Sequence, residues 1–102
     1  MGLFGIVKNK VQRTTAVDTT LDPNTDNVIL CDTSAGFPIN VTLPAGVDGQ
    51  EFIVKVTSDQ NGVTFTLNGA DTLDPFIIPP LTNAQTAQLR FQASTSTWWK
   101  IN

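Results

Sequence analysis

The chain has 102 residues and a mass of 11.0 kDa, which is enough for one domain and too little for two. Its composition is 40% hydrophobic and 15% charged, which excludes a disordered tail, and no apolar run approaches the roughly 20 residues of a membrane span. Histidine and tyrosine are absent and Glu51 is the one glutamate. We therefore expect no catalysis, no cofactor and no membrane contact.

The net charge is −3 and is unevenly distributed along the chain. Residues 1–20 carry three cations against one acid, a net charge of +2, whereas residues 21–102 carry three cations against eight acids, a net charge of −5. An acidic body argues against nucleic-acid binding. A basic N-terminal segment fits contact with an acidic surface such as a neighbouring subunit, and it equally fits lysines solvated on a strand.

Cys31 is the one cysteine of the chain. No intrachain disulfide and no multi-cysteine metal site can form, and the apolar residues that precede Cys31 predict an inert, buried thiol. The N-terminus lacks the features of a secretory signal, and Ile6 stands where myristoylation requires Ser or Thr. We expect the chain to be made in a reducing cytoplasm.

An alternation of apolar and polar residues dominates the sequence and predicts β-strands. Strands are expected near residues 3–9, 27–32, 38–43, 50–58, 62–68, 73–78, 85–94 and 97–101, with essentially no helix. The Asn61-Gly62 pair is a hairpin signal. One apolar face per strand is typical of antiparallel sheets covered on one side, so the predicted fold is all-β, a small antiparallel β-sandwich or a jelly-roll-like barrel.

The N-terminal region differs from the body in composition. Residues 10–26 are rich in Thr, Asp and Asn and are expected to form an extended linker. The predicted organisation is an N-terminal arm and linker over residues 1–20, followed by a β-sandwich domain over residues 21–102.

Two acidic segments are candidate cation or catalytic sites. The segment 22–26 resembles the start of a calcium loop, but Asn27 replaces its glycine and Thr33 its closing glutamate, so Asx turns are expected instead. Asp71 and Asp74 lie close in sequence and could share a cation or act as paired acids on a glycoside, although Pro75 after them favours a polar loop. No metal site is predicted.

We expect the chain to have more apolar surface than a domain of this size can easily cover. Trp98 and Trp99 are adjacent, so in a strand they point to opposite faces. Segments 28–31 and 76–78 are apolar on both faces. The N-terminal arm either folds back over the body, or these faces are buried between subunits, most simply in a symmetric homo-oligomer, which we favour.

Several segments occur in an order that carries a family resemblance: VILCDTSAGFPINVTLP at 28–44, GQEFIVK at 49–55, NGVTF at 61–65, DTL at 71–73 and WWKI at 98–101. This order, over about residues 27–102, resembles a small all-β module of bacteriophage virion proteins, namely tail fibres, head fibres and capsid decoration proteins. The resemblance implies a trimeric, non-enzymatic protein exposed on the particle, with no catalytic residues to carry over.

Fibre members carry long shafts, whereas about twenty residues precede the module here. The resemblance therefore favours a capsid decoration protein on the outer surface of the virion, with the major capsid protein and copies of itself, as a homotrimer, as partners. The expected contact arm comprises Leu3, Phe4, Ile6, Val7, Lys8, Lys10 and Arg13, and Trp98 and Trp99 are expected at an oligomer or ligand surface.

The alternative is a short tail-fibre or head-fibre subunit that binds a receptor or a carbohydrate. In that case Trp98 or Trp99, together with Gln92, would supply an aromatic platform with a neighbouring amide.

Overall fold

The computed structural model describes residues 10–58, 61–75, 77, 81 and 85–102. These residues form nine strands and a short 3₁₀ helix, and they contain no α-helix, which confirms the all-β class. The strands are β1 Val11–Thr15, β2 Thr19–Thr20, β3 Asp26–Cys31, β4 Ile39–Thr42, β5 Glu51–Val56, β6 Val63–Thr66, β7 Thr72–Leu73, β8 Thr86–Gln92 and β9 Thr97–Lys100, and the 3₁₀ helix is Ala93–Thr95.

The described strands form two sheets, and the chain alternates between them. The larger sheet has six strands in the order β1-β3-β5-β8-β9-β7, and the smaller has three in the order β2-β4-β6. From β1 to β6 each successive strand enters the other sheet and lies parallel to the strand two places before it. Residues 11–66 therefore wind like three turns of a two-sheet solenoid, which β8 and β9 extend with antiparallel pairs.

The strand directions correct the expected antiparallel arrangement. Among the described strands, five of seven pairings are parallel, and β5–β8 and β8–β9 are antiparallel. A one-faced apolar pattern indicates antiparallel pairing because helical crossovers normally cover both faces of a parallel sheet. Here the crossovers are strands of the opposite sheet, so a parallel sheet also keeps one uncovered face. The hairpin at Asn61-Gly62 is wrong for the same reason, since β5 and β6 lie in different sheets.

The linker expected over residues 10–26 is wrong for its central part. Strand β1 pairs with β3, and β2 pairs with β4, so Val11–Thr15 and Thr19–Thr20 belong to the two sheets. The Asx turn is confirmed, because the Asp22 carboxylate accepts a hydrogen bond from the Asn24 backbone at 2.9 Å. The arm residues before Lys10, with the strand expected at 3–9, lie outside the described residues.

A hydrophobic cluster takes side chains from both sheets and forms the core. The inward positions of β3, β4 and β5 are buried, as their alternation predicts. At the centre Trp98 is fully buried, with its ring centroid 5.6 Å from that of Phe52 and 5.1 Å from that of Phe91. No helix among the described residues is long and apolar enough to cross a membrane.

Candidate functional site

The outer face of the six-stranded sheet carries apolar side chains at its centre. Ile29 and Cys31 of β3 are fully buried, so the alternate residues Val28 and Leu30 point outward, where they are half-buried. Val28 lies beside Ile53 of β5, which is also half-buried. We call Val28, Leu30 and Ile53 the outer apolar patch.

Polar side chains surround the outer apolar patch. On the β1 side, Gln12 pairs in register with Val28, and Thr14 with Leu30. On the other side, Lys55 neighbours Leu30, and Gln88 of β8 neighbours Ile53. An apolar centre with a polar rim is the usual anatomy of a protein–protein interface.

A second feature of the same sheet is a groove at the end where β8 meets β9. The groove is open to solvent, has a volume of about 350 Å³ and is lined by Asp48, Gly49, Arg90, Phe91, Gln92, Trp99 and Ile101. Arg90 lies between Trp99 on β9 and Glu51 on β5 in the sheet register, and its guanidinium is 3.5 Å from the Glu51 carboxylate. We call this feature the Trp99 groove.

The indole of Trp99 is held in a fixed orientation. Its Nε1 donates a hydrogen bond of 2.8 Å to Oε1 of Gln92, and the Thr95 hydroxyl donates to the same oxygen at 2.9 Å. Because Oε1 accepts both bonds, the amide nitrogen of Gln92 keeps its N–H donors for other partners. Trp99 therefore lies beside Gln92, which is the arrangement that the carbohydrate-binding alternative requires.

The two adjacent tryptophans have separate locations, as the alternation of a strand predicts. Trp99 is half-buried on the groove, whereas Trp98 is fully buried in the core. The expectation that Trp98 contributes to an oligomer or ligand surface is therefore wrong, because its ring is covered by Phe52 and Phe91.

Arg13, expected to contact a partner, forms an ion pair within the chain. Its Nε and Nη2 donate to the two carboxylate oxygens of Asp26 at 2.8 and 3.0 Å, and Nη2 also donates to the Thr19 hydroxyl at 2.8 Å. Lys10 is half-buried, while Leu3, Phe4, Ile6, Val7 and Lys8 lie outside the described residues.

The charge on Arg13 shifts the ionisation of its partner. Burial alone would raise the pKa of Asp26, but hydrogen bonds from the Arg13 guanidinium and the Asp22 backbone, together with the Arg13 charge, outweigh it and hold the pKa below its usual value. Asp26 is 2% exposed and thus acts in the structure as an internal anion. The carboxylate that the calcium-loop pattern would use is occupied by arginine.

The two aspartates considered for a cation and the one cysteine have roles in the fold: the aspartates accept backbone hydrogen bonds and the cysteine is buried in the core. Asp71 accepts a hydrogen bond from the Gly46 backbone at 2.9 Å, and Asp74 accepts one from the Lys100 backbone at 3.1 Å. Cys31 is fully buried, as predicted, and burial raises the pKa of its thiol to about 11, which favours the protonated form. The described part of the chain contains no group of three or more His, Cys, Asp or Glu residues that could hold a metal ion.

Sequence reasoning missed Asp48 and Arg90 as groove residues. The alternation of β8 puts Arg90 and Gln92 on the face opposite to Leu89 and Phe91, which was a usable signal. The pairing of β8 with β9 that brings Arg90 beside Trp99 depends on strand register, which the pattern does not fix.

Comparison of the chain with protein-family models, with curated proteins and with solved structures found no match.

Proposed function

We propose that this protein is a non-enzymatic structural component of a bacteriophage virion, a capsid decoration protein that assembles as a homotrimer on the outer surface of the shell. The observation that carries the proposal is the outer apolar patch, which lies at the centre of a six-stranded sheet with a polar rim. Three apolar side chains in that position gain free energy when another subunit covers them. The virion setting comes from the resemblance of residues 27–102.

The sheet itself suits this role. Strands β3 and β5, which carry the outer apolar patch, are central strands whose inner faces are fixed in the core by Ile29, Cys31, Phe52 and Val54. A partner therefore meets a surface that is already ordered, so little conformational entropy is lost when it binds. In this proposal the body is a β-sandwich or a jelly-roll-like barrel, and the outer face of its six-stranded sheet contacts the neighbouring subunits.

Attachment to the shell falls to the N-terminal arm, residues 1–10. The Arg13 guanidinium is already paired with Asp26, so the cations offered to an acidic partner are Lys8 and Lys10. The apolar residues Leu3, Phe4, Ile6 and Val7 supply the remaining contact. A protein that binds the assembled shell and not the free capsid subunit stabilises the shell by mass action.

The test is co-sedimentation with assembled phage shells after deletion of residues 1–9. Deletion before Lys10 leaves β1 and its ion pair in place, so the body keeps its fold. The intact 102-residue chain is expected to pellet with the shells, and the truncated chain is expected to stay in the supernatant.

The matched control is the double variant Lys8→Gln and Lys10→Gln, which removes both arm charges and keeps the apolar residues of the arm. This variant is expected to bind with a weaker affinity that depends less on salt. If the truncated protein pellets as fully as the intact chain, attachment through the arm is refuted. If the intact chain does not pellet at all, the decoration function is refuted.

A further inference from the structure

We propose that the Trp99 groove is a binding site for a neutral hexopyranose unit of a glycan. The groove combines an aromatic ring with polar side chains that donate and accept hydrogen bonds within a space of about 350 Å³. This inference is independent of the decoration function, because it uses another part of the sheet and another class of ligand.

The aromatic side of the groove fits the apolar face of a sugar ring. The face of an indole is electron-rich, so it attracts the polarised C–H bonds that a pyranose presents on one side. The hydrogen bond from Nε1 to Gln92 holds the indole of Trp99 in one orientation. Ile101, which is 47% exposed, extends the apolar surface beside it.

The polar side of the groove offers both kinds of hydrogen-bonding group. The Arg90 side chain is 56% exposed, and its 3.5 Å contact with Glu51 uses only part of its donor fork. Gln92 keeps its amide N–H donors, since its oxygen is occupied by Trp99 and Thr95. Asp48 accepts from the Ala93 backbone through Oδ1 at 2.9 Å, which leaves Oδ2 as an acceptor.

This combination favours a sugar over an apolar or an ionic ligand. A purely apolar ligand would leave the polar groups of Asp48, Arg90 and Gln92 without partners, which costs free energy. The carboxylate of Asp48 would repel an anionic ligand, and the guanidinium of Arg90 would repel a cationic ligand. Adjacent hydroxyls of a neutral pyranose both donate and accept, so they satisfy the mixed set without a net charge.

The binding test is saturation-transfer NMR with five probes: lactose and the trisaccharides of α-glucose, β-glucose, mannose and N-acetylglucosamine. The intact chain is expected to transfer saturation to the ring C–H protons of at least one probe. Trp99→Ala is expected to lower the affinity by about tenfold or more, because the stacking surface is lost, while Trp99→Phe retains part of it.

Two further variants separate a specific site from a general effect. Phe37 is an aromatic residue that is 69% exposed and does not line the groove, so Phe37→Ala is expected to leave the transfer unchanged. Asp48→Asn keeps an oxygen for the Ala93 backbone and removes the charged acceptor. This variant is expected to weaken binding by about tenfold, and it replaces Trp99→Ala as the test if that variant fails to fold.

The proposal is overturned if none of the five probes receives saturation, or if Trp99→Ala or its replacement Asp48→Asn binds as tightly as the intact chain. It is also overturned if Trp99→Ala lowers the molar mass measured by light scattering without any glycan being bound, because the groove is then a contact between subunits. Failure of shell binding leaves this result unaffected, so the two proposals can fail separately.

Discussion

At the scale of single residues, the contact between Arg13 and Asp26 explains why a polar segment forms a strand. Strand β1, with the sequence VQRTT, lacks an apolar face and is held at the sheet edge beside β3. The guanidinium forms two parallel bonds to the carboxylate, a geometry that is both directional and strong. The ion pair thus joins the first turn of the chain, β1 to β2, to the start of β3.

Replacing Asp26 by Ala is expected to lower the free energy of unfolding by about 2 kcal/mol, because the Arg13 guanidinium and the Asp22 backbone N–H both lose their acceptor. Urea unfolding measures the loss. The matched control is Glu51→Ala, which removes the exposed 3.5 Å contact with Arg90 and a 3.3 Å hydrogen bond from Gln88 and is expected to cost about 1 kcal/mol or less. Equal losses in the two variants would contradict the structural role given to the buried pair.

The same ion pair determines a pH dependence. Because the pKa of Asp26 is lowered by folding, the stabilisation is present above the unfolded value near pH 4 and is lost as the pH falls through the lower folded value. The pKa of Asp32 is also lowered, by hydrogen bonds from Ser34. The Asp26→Asn variant separates the two contributions. Its free energy of unfolding, measured by urea unfolding between about pH 5 and pH 2, is expected to decrease less than that of the intact chain, and the decrease that remains includes the part due to Asp32.

At the scale of elements, the sequence predicts strands well and their partners poorly. The strands β3, β4, β5, β6, β8 and β9 begin and end within two residues of their predicted limits, because each buries one face in the core. Direction and pairing depend on contacts such as Val28 with Ile53, which join residues far apart in the chain. Alternation favours antiparallel pairing only where helices would cover both faces of a parallel sheet, so in a sheet whose crossovers are strands it determines neither direction nor pairing.

The candidate site was predictable to the same extent. That one of the two tryptophans is buried follows from the period of a strand, but which of them enters the core depends on the sheet that β9 joins. Arg13 is predicted to contact a partner because it belongs to a basic N-terminal segment beside an acidic body, and nothing in the sequence indicates its pairing with Asp26, thirteen residues away. Contacts of this kind are set by the tertiary fold.

The loop between β4 and β5 is fitted closely to β8 through Gly46. A Cβ atom added at Gly46 would overlap the ring of Phe91, and the Gly46 N–H is bonded to Asp71 at 2.9 Å, so the loop has little room to move away. Gly46→Ala is expected to lower the free energy of unfolding by about 1–3 kcal/mol through overpacking. Thermal and urea unfolding measure the change.

The control for this contact is a double-mutant cycle. With Phe91→Leu in the background the added methyl group gains space, so Gly46→Ala is expected to cost less there than in the unaltered chain. The exposed neighbour Ala45, changed to Ser, is expected to have no effect. Identical costs in both backgrounds would show that Phe91 is not what restricts Gly46.

At the scale of the whole molecule, the winding from β1 to β6 leaves each sheet with one face on a shared core and one face outside. The outer face of the six-stranded sheet carries two different surfaces, the outer apolar patch on β3 and β5 and the Trp99 groove on β8 and β9. The outer apolar patch has an apolar centre, which is typical of subunit contacts. The Trp99 groove combines apolar and polar side chains, which is typical of ligand sites. Association and ligand binding can therefore be altered independently.

The oligomeric state tests this division directly. Light scattering of the intact chain is expected to give three times the 11.0 kDa of one copy. Ile53→Lys puts a charge at the centre of the outer apolar patch. Because burying that charge costs more free energy than the contact between subunits gains, the mass is expected to fall to that of one chain.

The control for this variant is Val17→Lys. Val17 is 69% exposed in the turn between β1 and β2, so the substitution removes an apolar side chain outside the patch and is expected to leave the trimer intact. An intact chain that remains a single copy at high concentration, or an Ile53→Lys variant that remains a folded trimer, would show that the outer apolar patch does not join the subunits.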